Sequence, residues 1–219
     1  MLIDIHRHVI DTGTADLVVR NLFHSQSREL EANRYYSLGL HPWDVNKSTL
    51  AGDIQRVRNS AGHSQVIAIG EAGLDKSIDT PLDIQFEAFE AQMEIAQTLN
   101  KPMIIHCVRA YNEILSVKLR HKQSQAWIIH WFNGSSELGK QLIDKDFYLS
   151  FGHMLFHDQS KAYHAFPHIP LERIFFETDD AGYSIDQVYQ RAALLRGMEK
   201  NTLQQQIQQN FTHCFGIEL

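Results

Sequence analysis

The sequence predicts a (β/α)8 barrel, and three observations carry the prediction. Eight short apolar runs recur along the 219 residues, at 2–8, 15–23, 35–41, 66–74, 103–109, 127–132, 147–152 and 174–179, each ending in polar residues. Most are near-continuously apolar, as strands are when both faces of a parallel sheet are covered. Helical periodicities separate most of the runs, and that alternation at this length fits a single small barrel. No internal repeat, charge block or Pro/Gly/Ser linker divides the chain, so residues 1–219 read as one domain. An open doubly wound sheet is the structural alternative. It normally carries a glycine-rich phosphate loop after its first strand, and Ile5-His6-Arg7-His8 is nothing like one.

Taken in order, Met1-Leu2-Ile3-Asp4 enters the first strand at once, without the basic start and apolar stretch of a signal peptide. The first two crossovers are too short for full helices, so the early barrel is expected to be trimmed. The clearest helix is 82–99, where Leu82, Phe86, Phe89, Met93 and Ala96 recur at three and four, with Thr80 as its cap and Pro81 in its first position. Ser184-x-x-Gln187 and Thr202-x-x-Gln205 are capping-box signatures that open helices at 185–197 and 203–213. The glutamines at 204–206 and 208–209 resemble a low-complexity tract, but Leu203, Ile207 and Phe211 run one apolar stripe through them.

Composition narrows the class. At 43% hydrophobic and 21% charged the chain is not largely disordered. A net charge of −6 argues against coating nucleic acid by bulk electrostatics and leaves room for a local basic groove. The densest basic cluster, Lys118-Leu119-Arg120-His121-Lys122, ends the helix after the fifth strand, on the side away from the strand ends, and is discounted as such a groove. Cys107 and Cys214 are too few for a disulfide framework and suit a reducing, cytoplasmic setting. No apolar run reaches a membrane-spanning length. Nothing points to an obligate protein partner. Histidine stands out, because its 13 copies outnumber the 12 glycines.

In a barrel the chemistry sits at the carboxyl ends of the strands. Reading those ends gives Asp4, His6 and His8, then Glu71, His106, His130, and Glu177 with Asp179. Each lies in or just after an apolar run, where an unpartnered charge or imidazole costs several kcal/mol. His, Asp and Glu make up 39 of the 219 residues, so one at a given strand end is ordinary; filling five of eight ends is not. Alternate strand residues share a face, so His6 and His8 point into the same mouth, with Asp4 one layer deeper. Nitrogen and carboxylate donors without thiolate suit zinc, manganese, iron or magnesium.

These segments match a known family. Asp4-Ile5-His6-Arg7-His8, Gly39-Leu40-His41-Pro42, Gly70-Glu71-Ala72-Gly73-Leu74-Asp75, His106-Cys107-Val108-Arg109-Ala110, His130-Trp131-Phe132-Asn133-Gly134-Ser135 and Glu177-Thr178-Asp179 run in order through the chain. The chain resembles the TatD-type metal-dependent hydrolases, a deoxyribonuclease family within the amidohydrolase-like barrels. The resemblance implies two divalent ions (zinc, magnesium or manganese) and DNA as substrate. It implies that His6, His8 and Asp179 hold one ion and His106 and His130 the other, with Glu71 bridging. Asp179 would accept the proton of the attacking water, while Asp4 and Glu177 orient imidazole N–H groups from behind. His41 and Arg109 match motif positions that are not ligands and are assigned to phosphate contact; for Arg109 the alternative is an ion pair with a neighbouring carboxylate.

Departures from the family lie in two loops that shape a cleft. The stretch between His8 and His41 is shorter than in typical relatives, and Asp180-Ala181-Gly182 follows Asp179 in place of a proline-containing continuation. Lys76 is read equally as an anion contact or a solvated lysine. Trp43, Trp131 and Phe132 are read as packing under the loops, with base stacking as the alternative. Cys107 is expected to be a buried, inert thiol, and His153 a substrate-contact candidate. His24, His63, His121, His157, His164, His168 and His213 are expected at the surface or satisfied. Three functions follow: phosphodiester hydrolysis of DNA, hydrolysis of a small phosphate ester, lactone or amide on the same metals, or a metal-bound scaffold without catalysis.

Overall fold

All ten residues of β4 (Val66–Asp75) and all five of β7 (Phe147–Phe151) are buried, as near-continuously apolar strands are when covered on both faces. The computed structural model describes residues 1–8, 14–26, 30–121 and 125–219. The remaining strands are β1 (Ile3–Arg7), β2 (Leu17–Phe23), β3 (Tyr35–Gly39), β5 (Met103–Val108), β6 (Trp127–Ile129) and β8 (Ile174–Phe176). The sheet has eight strands in chain order, with parallel register in β1–β2, β3–β4, β4–β5 and β7–β8. The helices are α1 (Leu50–Ala61), α2 (Leu82–Leu99), α3 (Tyr111–His121), α4 (Ser136–Ile143), α5 (Lys161–Ala165), α6 (Ile185–Arg196) and α7 (Lys200–Phe215). Among the described residues no α-helix precedes α1, in keeping with the short early crossovers. None of the described helices is long and apolar enough to cross a membrane.

Contacts group the chain into two units. The first is Met1–Arg20 with Ile129–Leu219. Here the backbone beyond β8 pairs with β1: the Asp179 N–H donates to the His6 carbonyl at 2.9 Å, and the Asp179 carbonyl accepts from the His8 N–H at 3.3 Å. First and last strands are therefore neighbours, as a (β/α)8 barrel requires. On the outer side of β1 the buried Tyr189 hydroxyl of α6 accepts from the Ile3 N–H and donates to the Ile3 carbonyl. Ser184 and Gln187 form the expected capping box of α6, and Gly197 ends it in the left-handed region at φ 60°. The second box does not form. Helix α7 starts at Lys200, with Glu199 in the capping position but making no side-chain cap, so Thr202 lies inside it; the short turn after Gly197 decides the start instead.

The second unit is Asn21–Ile128, built on β3, β4 and β5 with α1, α2 and α3. Helix α2 departs from its expected start, because Pro81 occupies the capping position rather than the first turn and Thr80 makes no cap. Its buried face also differs from the apolar stripe. Gln85 and Gln92, seven apart, lie on it at 1% and 0% exposure beside Phe89 and Met93. The reason is backbone satisfaction. Gln92 accepts from the Leu40 N–H (2.7 Å) and donates to the Leu40 carbonyl (3.0 Å), while Gln85 does the same for Asp75 (2.8 and 2.9 Å). Two glutamines of one helix thus fix the backbone at the ends of β3 and β4, where regular pairing runs out.

Gly73 lets β4 approach β5 beside His106: a Cβ there would lie 1.9 Å from the His106 carbonyl oxygen. The Gly73→Ala protein is expected to lose about 1–3 kcal/mol of stability by overpacking. Chemical denaturation measures it, and an unchanged midpoint would contradict the contact.

Candidate functional site

In the first unit β1 carries His6, with His8 one residue past its end, and its pairing with the segment after β8 brings Asp179 against them. Asp179 Oδ1 lies 3.2 Å from His8 Nε2 and 3.7 Å from His6 Nε2. The His130 ring, just beyond β6, sits 4.4 Å from the His6 ring, centroid to centroid. Burial raises the Asp179 pKa, but the hydrogen bond from His8 and the charges of His6, His130 and His8 outweigh it and hold the carboxylate below its ordinary value. Three imidazoles and an ionised carboxylate form a donor set suited to a divalent cation.

Asp4 and Glu177 stand behind this set, in roles that differ in part from the expected ones. Asp4 is fully buried, and Thr178 rather than an imidazole holds it: Oδ1 accepts the Thr178 N–H at 3.1 Å and Oδ2 the Thr178 hydroxyl at 2.6 Å. The carboxylate therefore fixes the residue before Asp179. Burial pushes its pKa up to about 7, against the hydrogen bonds from Thr178 and the charge of Arg7. Glu177 Oε1 accepts the Trp131 N–H at 2.5 Å and lies 3.5 Å from His130 Nδ1, so it locates both residues after β6.

The second unit contains a separate convergence. His41, Glu71 and His106 are buried, and each offers a donor atom within 4.8 Å of the other two. His106 Nδ1 lies 2.7 Å from Glu71 Oε1, and His41 Nε2 lies 3.2 Å from each of those atoms. The tautomers follow from the far side of each ring. His41 Nδ1 accepts the Trp43 N–H (3.2 Å), so its proton is on Nε2. His106 Nε2 faces Asp75 Oδ2 at 3.1 Å, so it carries a proton, and neutral His106 presents a lone pair on Nδ1. A lone pair and a carboxylate oxygen 2.7 Å apart call for a second proton or a cation between them, and these donors fit a divalent metal.

Asp75 is the functional residue that the strand-end reading passed over. It accepts from the Ser77 N–H (2.8 Å) and hydroxyl (2.5 Å) on one oxygen, and from the Trp43 indole (2.8 Å) and His106 on the other. Burial raises its pKa, yet the hydrogen bonds from Ser77, Trp43 and His106 bring it down to about 2. The available signal was its place four residues after Glu71, since residues an even number apart share a strand face. Asn21 was missed as well. Its buried Oδ1 accepts from the Ser37 hydroxyl (2.9 Å) and the Glu71 N–H (2.8 Å), fixing the Glu71 backbone.

Other expectations divide. Phe132 is buried, as packing requires, but Trp43 is 66% exposed and does not pack under a loop. Arg109 is exposed at φ 55° and makes no ion pair among the described residues, so its guanidinium is available. Lys76 is an exposed surface lysine that pairs with Glu113 at 2.8 Å. Cys107 is half-buried rather than buried, and desolvation pushes its thiol pKa up to about 12. His153 lies against Trp131 at 4.6 Å, and burial and His157 lower its pKa. His24 pairs through Nε2 with Asp53 Oδ1 at 3.2 Å, while its buried Nδ1 makes no hydrogen bond among the described residues. Lys122 of the basic cluster lies outside the described residues, as does part of the shortened stretch between His8 and His41.

Residues 7–216 match the family described as TatD related DNase. The chain belongs to that family. Among curated TatD-family relatives, the uncharacterized metal-dependent hydrolase YabD of Bacillus subtilis is 35% identical over 148 residues, 66% of this chain and 58% of that protein. The 3′-5′ ssDNA/RNA exonuclease TatD of Salmonella typhimurium is 30% identical over 168 residues, 73% of this chain and 64% of that one. The matches thus span less than two thirds of either relative. The crystal structure of YjjV, a TatD homologue from Escherichia coli, superposes with a TM-score of 0.84 at 19% identity, over 99% of this chain and 98% of that one. That likeness shows the (β/α)8 fold of this TatD-family chain.

Proposed function

We propose that the chain is a metal-dependent hydrolase that cleaves phosphodiester bonds of single-stranded nucleic acid, with DNA as the first substrate to test. The observation that carries the reading is the buried approach of His106 Nδ1 to Glu71 Oε1 at 2.7 Å, with His106 fixed by a carboxylate on its far nitrogen. Family membership and the Salmonella relative's name support the choice of bond.

In this reading the protein uses two divalent ions, zinc, magnesium or manganese. His6, His8 and Asp179 would hold one, His106 and His130 the other, with Glu71 as a ligand common to both. Such ions supply positive charge to the phosphoryl oxygens and lower the pKa of water. The protein's own groups do the rest. Asp179, kept ionised by its histidines, takes the proton of the attacking water at its carboxylate. Asp75 keeps the His106 Nδ1 lone pair pointed inward. His41 presents Nε2–H, and Arg109 its guanidinium fork, to the phosphate.

Purified protein incubated with end-labelled single-stranded DNA and magnesium, manganese or zinc is expected to release shortened products. The His106→Ala protein should be slower by at least about a hundredfold. No cleavage above that control would overturn the reading, and hydrolysis of p-nitrophenyl esters alone would move the substrate to small esters.

A further inference from the structure

Trp43 combines two features that rarely meet in one side chain: it is 66% exposed, and its position is fixed. A surface indole N–H ordinarily bonds water. This one donates to Asp75 Oδ2 at 2.8 Å, an oxygen that is itself buried and shared with His106 Nε2. The backbone is fixed too, because the Trp43 N–H donates to His41 Nδ1 and Pro42 opens the short 3-10 turn. The indole stands perpendicular to the His41 ring at 5.0 Å and at 74° to the His106 ring at 6.2 Å. An aromatic surface is thus held open to solvent beside the two imidazoles.

We propose that Trp43 is the stacking platform for a nucleobase of the bound strand and sets the preference for nucleotides over base-free phosphate esters. This rests on the nucleic-acid reading above. A phosphate contacted by His41 carries its base one sugar away, next to the exposed ring. Stacking accepts every base, so the platform selects single-stranded ends without selecting sequence. Because the ring is already held by Asp75 and by its own backbone, little conformational entropy is lost when a base settles on it. The bond to Asp75 makes the same residue a positioning contact for His106, which separates the effects of its substitutions. Trp43→Ala removes both the stack and the bond, whereas Trp43→Phe keeps a ring and removes only the bond.

The test is a cycle of two proteins and two substrates. Wild type and Trp43→Ala are compared on an oligonucleotide with all its bases and on the same oligonucleotide carrying an abasic unit, moved position by position near the cleaved end. With the base present, Trp43→Ala is expected to raise KM about ten- to a hundredfold. With the abasic unit at the stacked position, that penalty should shrink to a few-fold. Trp43→Phe should recover most of the KM on the natural strand. Equal penalties on both substrates at every position, or no penalty on either, would overturn the platform. Failure of the wild type to cleave any oligonucleotide, with p-nitrophenyl ester hydrolysis intact, would instead overturn the nucleic-acid reading beneath it. Thermal midpoints of the variants, expected to match wild type because the ring is exposed, separate binding effects from misfolding.

Discussion

Replacing Asp179 by Asn is expected to lower kcat/KM about a thousandfold, within the range for loss of a positioned general base. The substitution is nearly isosteric, and the backbone N–H and carbonyl that pair residue 179 with β1 are unaffected. What changes is charge. The carboxylate Oδ1 lies 3.2 Å from His8 and 3.7 Å from His6, and those histidines with His130 keep it ionised below the usual carboxylate range. An amide neither accepts a proton from water nor balances a cation. The pH dependence follows from the direction of the shift. If Asp179 is the base, the acid limb of the wild-type pH–rate profile falls below the ordinary carboxylate value, since the group stays deprotonated until that pH. An acid limb near neutrality would assign the proton to another group, and an active Asn variant would remove Asp179 from the chemistry.

Much of this site was legible because its residues break an otherwise apolar rule. His6, His106 and His130 interrupt runs of Ile, Val and Phe, and a buried imidazole there must have a partner, so strand ends rich in histidine announce chemistry. The barrel was legible from the same runs, since near-continuously apolar strands alternating with helices leave few other topologies. The hidden part is made of groups whose partners are backbone atoms far away in sequence. Nothing near Gln92 in the chain says that it will take both backbone groups of Leu40, 52 residues away, and so precede His41 with a rigid peptide. Gln85 and Asn21 are of the same kind. Periodicity ranks them as polar interruptions of an amphipathic pattern, although they are what satisfies the strand ends. Trp43 was misjudged for a related reason. Hydrophobicity alone predicts packing, but an indole also has an N–H, and the tie to Asp75 holds the ring in place without burying it.

The Asp4→Asn protein, stripped of metal, is expected to be more stable than metal-free wild type above neutral pH and close to it in acid. The Asp4 carboxyl has a folded-state pKa near 7 against an ordinary 3.8, so between these values the folded chain binds more protons than the unfolded one. The stability contributed by the neutral form is therefore complete below about pH 4 and is lost as pH rises through 7. A shift of this size corresponds to something on the order of 4 kcal/mol. Asparagine matches the site without ionising: its carbonyl accepts the Thr178 N–H and its amide donates to the Thr178 hydroxyl, in place of the two Asp4 contacts. Thermal midpoints in chelator should diverge from near equality below about pH 4 to a gap of roughly 10 °C at about pH 8.5, most of it opening between about pH 4 and pH 7. A gap that does not change with pH would mean that Asp4 is ionised throughout. Adding divalent cation should raise the wild-type midpoint at high pH more than that of the variant, because a nearby positive charge favours the Asp4 carboxylate, so the cost of ionising a buried acid falls as the metal binds.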